Sequence, residues 1–402
     1  LLTLSFAELG GNRALGIVCA SGIVVAMISA LGVLPAALVV FGRGLFWPFV
    51  PRFGGVNKSD TGWWAKLGTG VSKRPVTVAV LGVAVLGSLA IGSSGINIGL
   101  SETEQFRVKP EAVIGIEVLA EAFPAGSSSP TQVIADNDHA EEVVTAALTL
   151  DQVATAEIIN FNDTQSRIDV VLDAEGGSEE AYVAVEDLRS VVQAVPGANA
   201  LVGGEDATKL AVKQAYERDQ LLVIPMILIL VFIVLVLLLR SLLAPFLLLS
   251  SVVLSFFSAM GAAWLVFENI FGMSGLDFSV FLYSFLFLVA LGVDYNIFLV
   301  SRAREESALM SGKVDQPTRM GMIKALGATG GVITSAGILL AAVFAVLGVL
   351  PLLALFQIGI IVGIGVLIDT LLVRTVVVPA TAFIAGDKFW WPRKKLTAGK
   401  FA

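Results

Sequence analysis

The chain has 402 residues, of which 56% are hydrophobic and 15% are charged, and its mean hydropathy is +0.86. This composition is typical of a membrane protein and excludes an ordinary soluble globular protein. Cys19 is the single cysteine and His139 the single histidine, which excludes a disulfide framework and a thiolate- or histidine-rich zinc site. We therefore expect no metal and no cofactor.

The net charge of −7 combines two regions of opposite sign. Residues 97–219 carry 23 acidic and 7 basic side chains, a net charge of −16, whereas the rest of the chain carries +9. The acidic block indicates a domain in water, and the basic excess lies in short loops beside apolar segments, as is typical of the cytoplasmic side of a membrane. Nothing in this distribution suits phosphate binding, so we expect no nucleic-acid partner.

The first 96 residues predict two complete membrane helices. Residues 1–41 contain the end of one helix and then a span over about 13–41. A linker over 42–74 is rich in lysine and arginine and is therefore predicted to be cytoplasmic, with Trp63 and Trp64 as interfacial anchors. A second span over 75–96 leads into the acidic block.

Five further apolar runs predict a five-helix bundle over 220–386, followed by a basic cytoplasmic tail over 387–402. The predicted spans lie at about 220–239, 243–267, 279–301, 326–349 and 354–384. The charges of all the loops agree with one orientation in a multi-pass protein of the plasma (inner) membrane. In this orientation residues 97–219 lie on the outer side.

The external block, 97–219, has the pattern of an α+β domain. Its apolar runs predict a strand–helix–strand–strand–helix–strand order, which is the split βαβ, or ferredoxin-like, arrangement. The strands are expected at Thr131–Ala135, Ala154–Ile159, Ile168–Leu172 and Ala200–Val202, and the helices at 138–149 and 178–193. A further helix, capped by Asp206, is expected to run without a break into the span that begins at Leu221.

An internal repeat indicates duplication. The pattern of Pro35-Ala36, Gly42 and Phe46-Trp47-Pro48 recurs as Pro379-Ala380, Gly386 and Trp390-Trp391-Pro392, and each matched pair is 344 residues apart. The chain is therefore expected to hold the end of one copy and the whole of a second, with about 290 residues of the first copy preceding Leu1.

Several polar residues interrupt the membrane helices. Asp294, Tyr295 and Asn296 lie inside an apolar run, where an aspartate costs about 2.5–3.5 kcal/mol and is usually functional. Counting 1.5 Å per residue from the helix ends predicts that Asp369 lies at the same depth. We predict a proton relay of Asp294, Tyr295 and Asp369. The supporting polar layer is predicted to consist of Thr334, Ser335, Asn296 and Arg374.

Purely structural interpretations of these residues remain open. Asp294 is also compatible with a fixed hydrogen bond between helices, and Tyr295 with a packing role. Asp369 is also compatible with a simple pairing to Arg374 near the membrane interface. At the offset of the repeat, Val25 and Ala30 occupy the positions of this pair, so the charges are not a general feature of the duplicated unit.

The motifs on these helices resemble those of a known family. The run GVDYNIFL over 292–299, followed by REE over 304–306, resembles the signature helix of the mycobacterial membrane protein large (MmpL) family of the resistance–nodulation–division (RND) superfamily. The runs IDT over 368–370 and VPA over 378–380 resemble its last membrane helix. The resemblance implies an RND-like polytopic α-helical membrane protein in which this chain holds helices six to twelve and an external porter domain.

The resemblance also implies a function. Members of that family export lipids, siderophores or drugs, especially in actinobacteria with lipid-rich envelopes, and their aspartate–tyrosine pair meets a matching pair on a helix of the preceding half. We therefore expect a proton-motive-force-driven exporter of lipids or other amphipathic molecules, whose partners are protons, cargo and that half. The chain contains no nucleotide-binding loop or covalent catalytic constellation, so we do not expect an enzyme.

Two other functions remain open at this point. One is a multidrug efflux pump of the same superfamily, and the other is a non-transporting lipid- or sterol-sensing membrane protein. A homo-oligomer is compatible with each of these functions.

Overall fold

The computed structural model describes residues 2–42, 44, 47, 62–100, 104 and 110–392. Most of the predicted linker over 42–74 lies outside these residues, as do Phe46 and Pro48 of the repeat and the tail from residue 393 onwards.

Besides short 3₁₀ segments, eleven longer helices occur in the described residues, and seven of them are long and apolar enough to span a membrane. The seven are α1, α3 and α7 to α11, and they agree with the seven predicted spans. In chain order the helices are α1 (Gly10–Phe41), α2 (Trp63–Lys73), α3 (Pro75–Ile91), α4 (Glu111–Ala120), α5 (Ala140–Ala147), α6 (Glu179–Gln193), α7 (Glu205–Leu239), α8 (Leu243–Phe271), α9 (Phe278–Met310), α10 (Pro317–Leu347) and α11 (Leu353–Trp390).

The second half of the predicted linker is a helix, α2, which the sequence analysis did not predict. Its apolar residues recur at helical spacing, so that Ala65, Gly68 and Val71 are buried. Trp64 packs on α10, where a Cβ added to Gly330 would lie 2.5 Å from Trp64 Cγ. Trp63 is exposed, as an interfacial anchor would be. Trp64 is thus a packing residue between α2 and α10.

The sheet domain (residues 110–204) confirms the predicted ferredoxin-like arrangement. Its strands are β1 (Thr131–Asp136), β2 (Val153–Phe161), β3 (Gln165–Leu172) and β4 (Leu201–Gly203). They form one antiparallel sheet in the order β2-β3-β1-β4. Alternate residues of β1 and β3 are buried, because one face of the sheet packs against α5 and α6. The short helix α4, which precedes β1, was not predicted.

The helix α7 runs from the sheet domain into the membrane bundle without a break, as predicted. The prediction that Asp206 caps α7 is wrong. The helix begins at Glu205, so its N-cap residue is Gly204, which has no side chain, and Asp206 lies within the first turn. Asp206 is buried and accepts a hydrogen bond from the backbone N–H of Gly177 at 2.7 Å. Its carboxylate therefore attaches α7 to the sheet domain.

Hydrogen bonds fix the end of the bundle that lies away from the sheet domain. The Ser241 hydroxyl, between α7 and α8, donates to the carbonyl oxygens of Phe389 at 2.9 Å and Trp391 at 3.0 Å. The backbone N–H of Leu242 also donates to Trp391, at 2.8 Å. The end of α7, the start of α8 and the end of α11 therefore lie together at this end of the bundle.

The membrane helices pack closely where small residues face each other. Gly261 on α8 lies against the α3 backbone, and a Cβ added there would overlap the carbonyl oxygen of Leu89. Such contacts allow helix backbones to approach each other in a bilayer, where no hydrophobic force drives helices together.

Replacing Gly261 by alanine is expected to push α3 away from α8. Overpacking of this kind costs about 1–3 kcal/mol. The matched control is Gly87→Ala on α3, where nothing lies within 4 Å of the added methyl group. The control is expected to keep or raise stability, since alanine favours a helix. Thermal unfolding of the purified protein in detergent measures both effects, and an unchanged unfolding temperature for Gly261→Ala would contradict the close packing.

Candidate functional site

A π-helical segment within α11 organises the buried charges. Residues Asp369–Val377 form this segment, in which hydrogen bonds run between residues five apart. The wider turn brings the side chains of Asp369 and Arg374 towards one face, whereas an ordinary α-helix would separate them by about 140°. Both are buried, with exposed fractions of 4% and 0%. The segment therefore holds two opposite charges on one side of a membrane helix.

Asp369 lies next to Tyr295 of α9. Both residues line one narrow pocket, together with Gly292 of α9 and Ser255 of α8. A Cβ added to Gly292 would lie 3.4 Å from Asp369 Oδ2, so the absence of a side chain at Gly292 allows the carboxylate to reach α9. Two of the three predicted relay residues are thus brought together.

Asp369 and Arg374 do not form a direct ion pair. Arg374 Nη2 donates to Thr329 Oγ1 of α10 at 3.2 Å, and its Nε and Nη1 have no partner among the described residues. Neither carboxylate oxygen of Asp369 accepts a hydrogen bond within that same part of the chain. The two charges therefore compensate each other only at a distance. The Asp369 carboxylate keeps its full capacity to bind a proton or to accept hydrogen bonds.

Asp294 occupies a different face of α9 from the pocket. Its side chain is exposed and makes no hydrogen bond or ion pair with any residue that the structure describes. Phe287 and Phe298, seven residues before and four after it, are also exposed and extend the same face. The helix thus presents an exposed aspartate between two aromatic rings, of which Phe287 also packs edge-on against Phe344 of α10.

Asn296 is fully buried on the other side of α9 from Asp294, and neither its amide nitrogen nor its amide oxygen has a hydrogen-bond partner in the described part of the chain. A buried amide without partners costs about 1–3 kcal/mol for each lost hydrogen bond. Asn296 therefore offers unsatisfied hydrogen-bonding groups inside the bundle, whereas Asp294 offers its carboxyl on the exposed face of α9.

The two predicted residues of α10 differ in position. The Thr334 hydroxyl is buried and unpaired within the described residues, as a polar layer requires. Ser335 is exposed, and its hydroxyl donates to the Val332 carbonyl of its own helix at 2.8 Å. The structure does not bring Ser335 to the pocket, because one residue along a helix turns the side chain by about 100°.

Sequence reasoning missed two polar residues of the site. Thr329, which accepts the hydrogen bond from Arg374, lies five residues before Thr334 and was not distinguished from other threonines. Thr370 is fully buried with an unpaired hydroxyl among the described groups, and it lies against Gly337, where an added Cβ would overlap it. No local sequence pattern distinguishes either threonine, because both contacts depend on how α10 and α11 face each other.

Comparison with known proteins adds an independent observation. A sequence model described as the MMPL family matches residues 1–78 and 120–401. The chain belongs to the MMPL family. The match includes every residue of the site and six of the seven spans in full, and α3 lies mostly between its two parts. The chain is therefore part of a multi-pass membrane protein of RND-like fold with a porter-like domain.

Two of the relatives of this chain are named as exporters. The chain is 42% identical to a Streptomyces coelicolor protein named ActII-3, over 98% of this chain and 54% of that protein. It is 34% identical to the apo-petrobactin exporter of Bacillus anthracis, over 98% and 56% of the two chains. It is 41% identical to the acyltrehalose exporter MmpL10 of Mycobacterium tuberculosis, over 45% and 17%. The chain spans about half the length of the first two relatives.

A double-mutant cycle tests whether the two charges on α11 act on each other. Asp369→Asn alone leaves Arg374 buried without a counter-charge, and Arg374→Gln alone does the same to Asp369, which is expected to cost about 3–5 kcal/mol each. The double variant is expected to lose clearly less stability than the sum of the two losses. Unfolding of the detergent-solubilised protein measures all three, and strictly additive losses would show that the charges are independent.

Proposed function

We propose that this chain is part of a proton-motive-force-driven exporter of lipids or other hydrophobic or amphipathic molecules across the inner membrane. In this proposal Asp294, Tyr295 and Asp369 relay the proton, and the sheet domain lies on the outer side. The observation that carries the proposal is Asp294 itself, which has no partner among the described residues although it lies deep within a membrane-spanning helix.

The physical argument starts from the two protonation states of this carboxyl. A protonated aspartic acid can pack against an apolar neighbour, whereas the charged form requires water or a donor. The two states therefore favour different packing of the exposed face of α9. A proton that binds from one side of the membrane and leaves to the other can thus drive a cycle between two arrangements of the bundle.

The neighbouring groups give the proton a route. Tyr295 follows Asp294 on α9 and lines the same pocket as Asp369. Its hydroxyl can both donate and accept, so it can join the two carboxyls. Arg374, five residues from Asp369, would stabilise that carboxyl in its charged state and so favour proton release. Asn296 and Thr334 supply further hydrogen-bonding groups at this level.

The names of the relatives support export rather than sensing. The apo-petrobactin exporter is similar to nearly the whole of this chain, and the acyltrehalose exporter to nearly half of it. The net charge of −16 over residues 97–219 disfavours small anions as cargo and is compatible with a lipid or a neutral amphiphile. The chain would move its cargo without making or breaking covalent bonds.

A preceding half is part of the proposal. The repeat at 344 residues and the coverage of the relatives support about 290 further residues, one helix of which would carry an aspartate–tyrosine pair. We infer that this helix covers the face of α9 that carries Phe287, Asp294 and Phe298. Such contact would bring the carboxyl into the interface between two duplicated halves, where transporters commonly have their working site.

Replacing Asp294 by asparagine is expected to abolish export, because asparagine is close in shape but binds no proton. The natural gene product is expressed in a deletion strain, and lipids and small molecules of the envelope and medium are compared with those of the wild type. Ser335→Ala is the control, since its exposed hydroxyl bonds only within its own helix. A protonophore is expected to reproduce the effect of Asp294→Asn. Normal export by Asp294→Asn would overturn the proposal.

A further inference from the structure

Asp219 is a buried carboxylate that the relay does not use. It lies on α7, at the point where this helix passes from the sheet domain into the bundle, and its exposed fraction is 1%. It accepts hydrogen bonds from the backbone N–H groups of Glu8 at 2.6 Å and Leu9 at 3.4 Å, and from Asn12 Nδ2 at 2.7 Å. Three donors thus compensate one buried charge.

These bonds give α1 a cap from another helix. The N-cap residue of α1, Leu9, has no side-chain group that can accept a hydrogen bond. Asp219 supplies the missing acceptor, and its negative charge lies at the positive end of the α1 dipole. The start of α1 is therefore attached to α7 through one carboxylate.

The hydrogen bonds around Asp219 extend to α9, the helix that carries Asp294. Asn12 Oδ1 accepts a hydrogen bond from Tyr283 Oη of α9 at 2.7 Å. Tyr216, almost one turn before Asp219 on α7, lies beside Tyr283 as well. Tyr283 and Asp294 are eleven positions apart on α9, so they lie on the same face about three turns, or 16 Å, from each other.

The N-terminal part of α7, before Asp219, is attached to the sheet domain. Asp206 accepts a hydrogen bond from Gly177 at 2.7 Å, and Lys213 Nζ donates to Glu179 Oε1 at 2.7 Å. The segment between Asp206 and Asp219 is continuous helix, about 20 Å long. It is bonded to the sheet domain at one end and to α1 and α9 at the other.

We propose that Asp219, Asn12 and Tyr283 are positioning residues that transmit the movement of α9 to the sheet domain. This inference rests on the proposed function. When the packing of α9 changes with the protonation of Asp294, Tyr283 moves with its helix and carries Asn12 and Asp219 with it. The bond from Asn12 to Asp219 is costly to break, because its acceptor is a buried carboxylate. The network therefore moves as one unit and displaces α7.

The groups that bind and release the proton are separate from the network of Asp219, Asn12 and Tyr283. The titratable and charged groups at the relay, taken over the helices packed there, are Asp294 and Tyr295 on α9 and Asp369 and Arg374 on α11. At the α1 end of the α7 segment, Asp219 accepts its three hydrogen bonds from the start of α1. Its part is to hold α1, α7 and α9 together, so removal of the network separates proton binding from domain movement.

The test uses the natural gene product in lipid nanodiscs. Spin labels are attached at Glu180→Cys on the sheet domain and Glu268→Cys at the end of α8, in a Cys19→Ser background, since both glutamates are exposed. Double electron–electron resonance measures the distance between the two spin labels in acidic and in alkaline buffer. A pH-sensitive dye measures proton uptake on acidification of the same samples.

The wild type is expected to take up protons and to change the distance between the labels. Tyr283→Phe and Asn12→Ala are expected to keep the proton uptake and to lose the distance change. Tyr283→Phe removes one hydroxyl only, which keeps the test open if Asn12→Ala fails to fold. Two controls are expected to keep both signals: Arg218→Gln, which removes an exposed ion pair to Glu8, and Ser284→Ala, which removes a buried hydroxyl beside Tyr283.

The outcomes separate the two proposals. If Tyr283→Phe keeps the full distance change while Asp294→Asn loses it, the coupling role of the network is wrong and the relay stands. If Asp294→Asn keeps both proton uptake and the distance change, the proposed function is wrong. A wild type without any distance change would overturn both. Loss of proton uptake in Tyr283→Phe would also contradict the coupling role, since the residue would then belong to the relay.

Discussion

The π-helical segment of α11 is the feature on which the candidate site depends. In the apolar part of a bilayer, charges must be compensated within the protein, because water is absent. Residues five apart on an α-helix point in different directions, and Asp369 and Arg374 share one side only because the helix widens at Asp369–Val377. Gly292 then leaves room for the carboxylate to reach α9 and Tyr295.

The two copies of the repeat show that this geometry does not require the charges. A π-helical segment at Ser29–Val33 of α1 corresponds, at the offset of 344, to the end of the one in α11. Pro35 and Pro379 follow the two segments at matching positions, and proline cannot donate the hydrogen bond that an α-helix would need there. The duplicated unit thus carries the widened helix in both copies, and only the second copy places an aspartate and an arginine on it.

The fold was predicted more completely than the site. Long apolar runs and a strand–helix order determine elements locally, so the seven spans and the sheet domain followed from the sequence. The site depends on directions around each helix. Depth alone placed Ser335 in the layer, whereas its side chain points away, and Thr329 and Thr370 could not be found without the turn of α11. The role of Asp206 also depended on a tertiary contact, to Gly177, that no local pattern indicates.

The account depends on whether the Asp294 carboxyl gains and loses a proton as the protein works. Infrared difference spectroscopy of the natural gene product in lipid measures this directly, because a protonated carboxyl has a C=O stretching band that a carboxylate lacks. The account predicts a band that appears on acidification, disappears in alkaline buffer, and is absent from Asp294→Asn. A carboxyl of Asp294 that stays in one protonation state across the whole range in which the protein transports its cargo would contradict it.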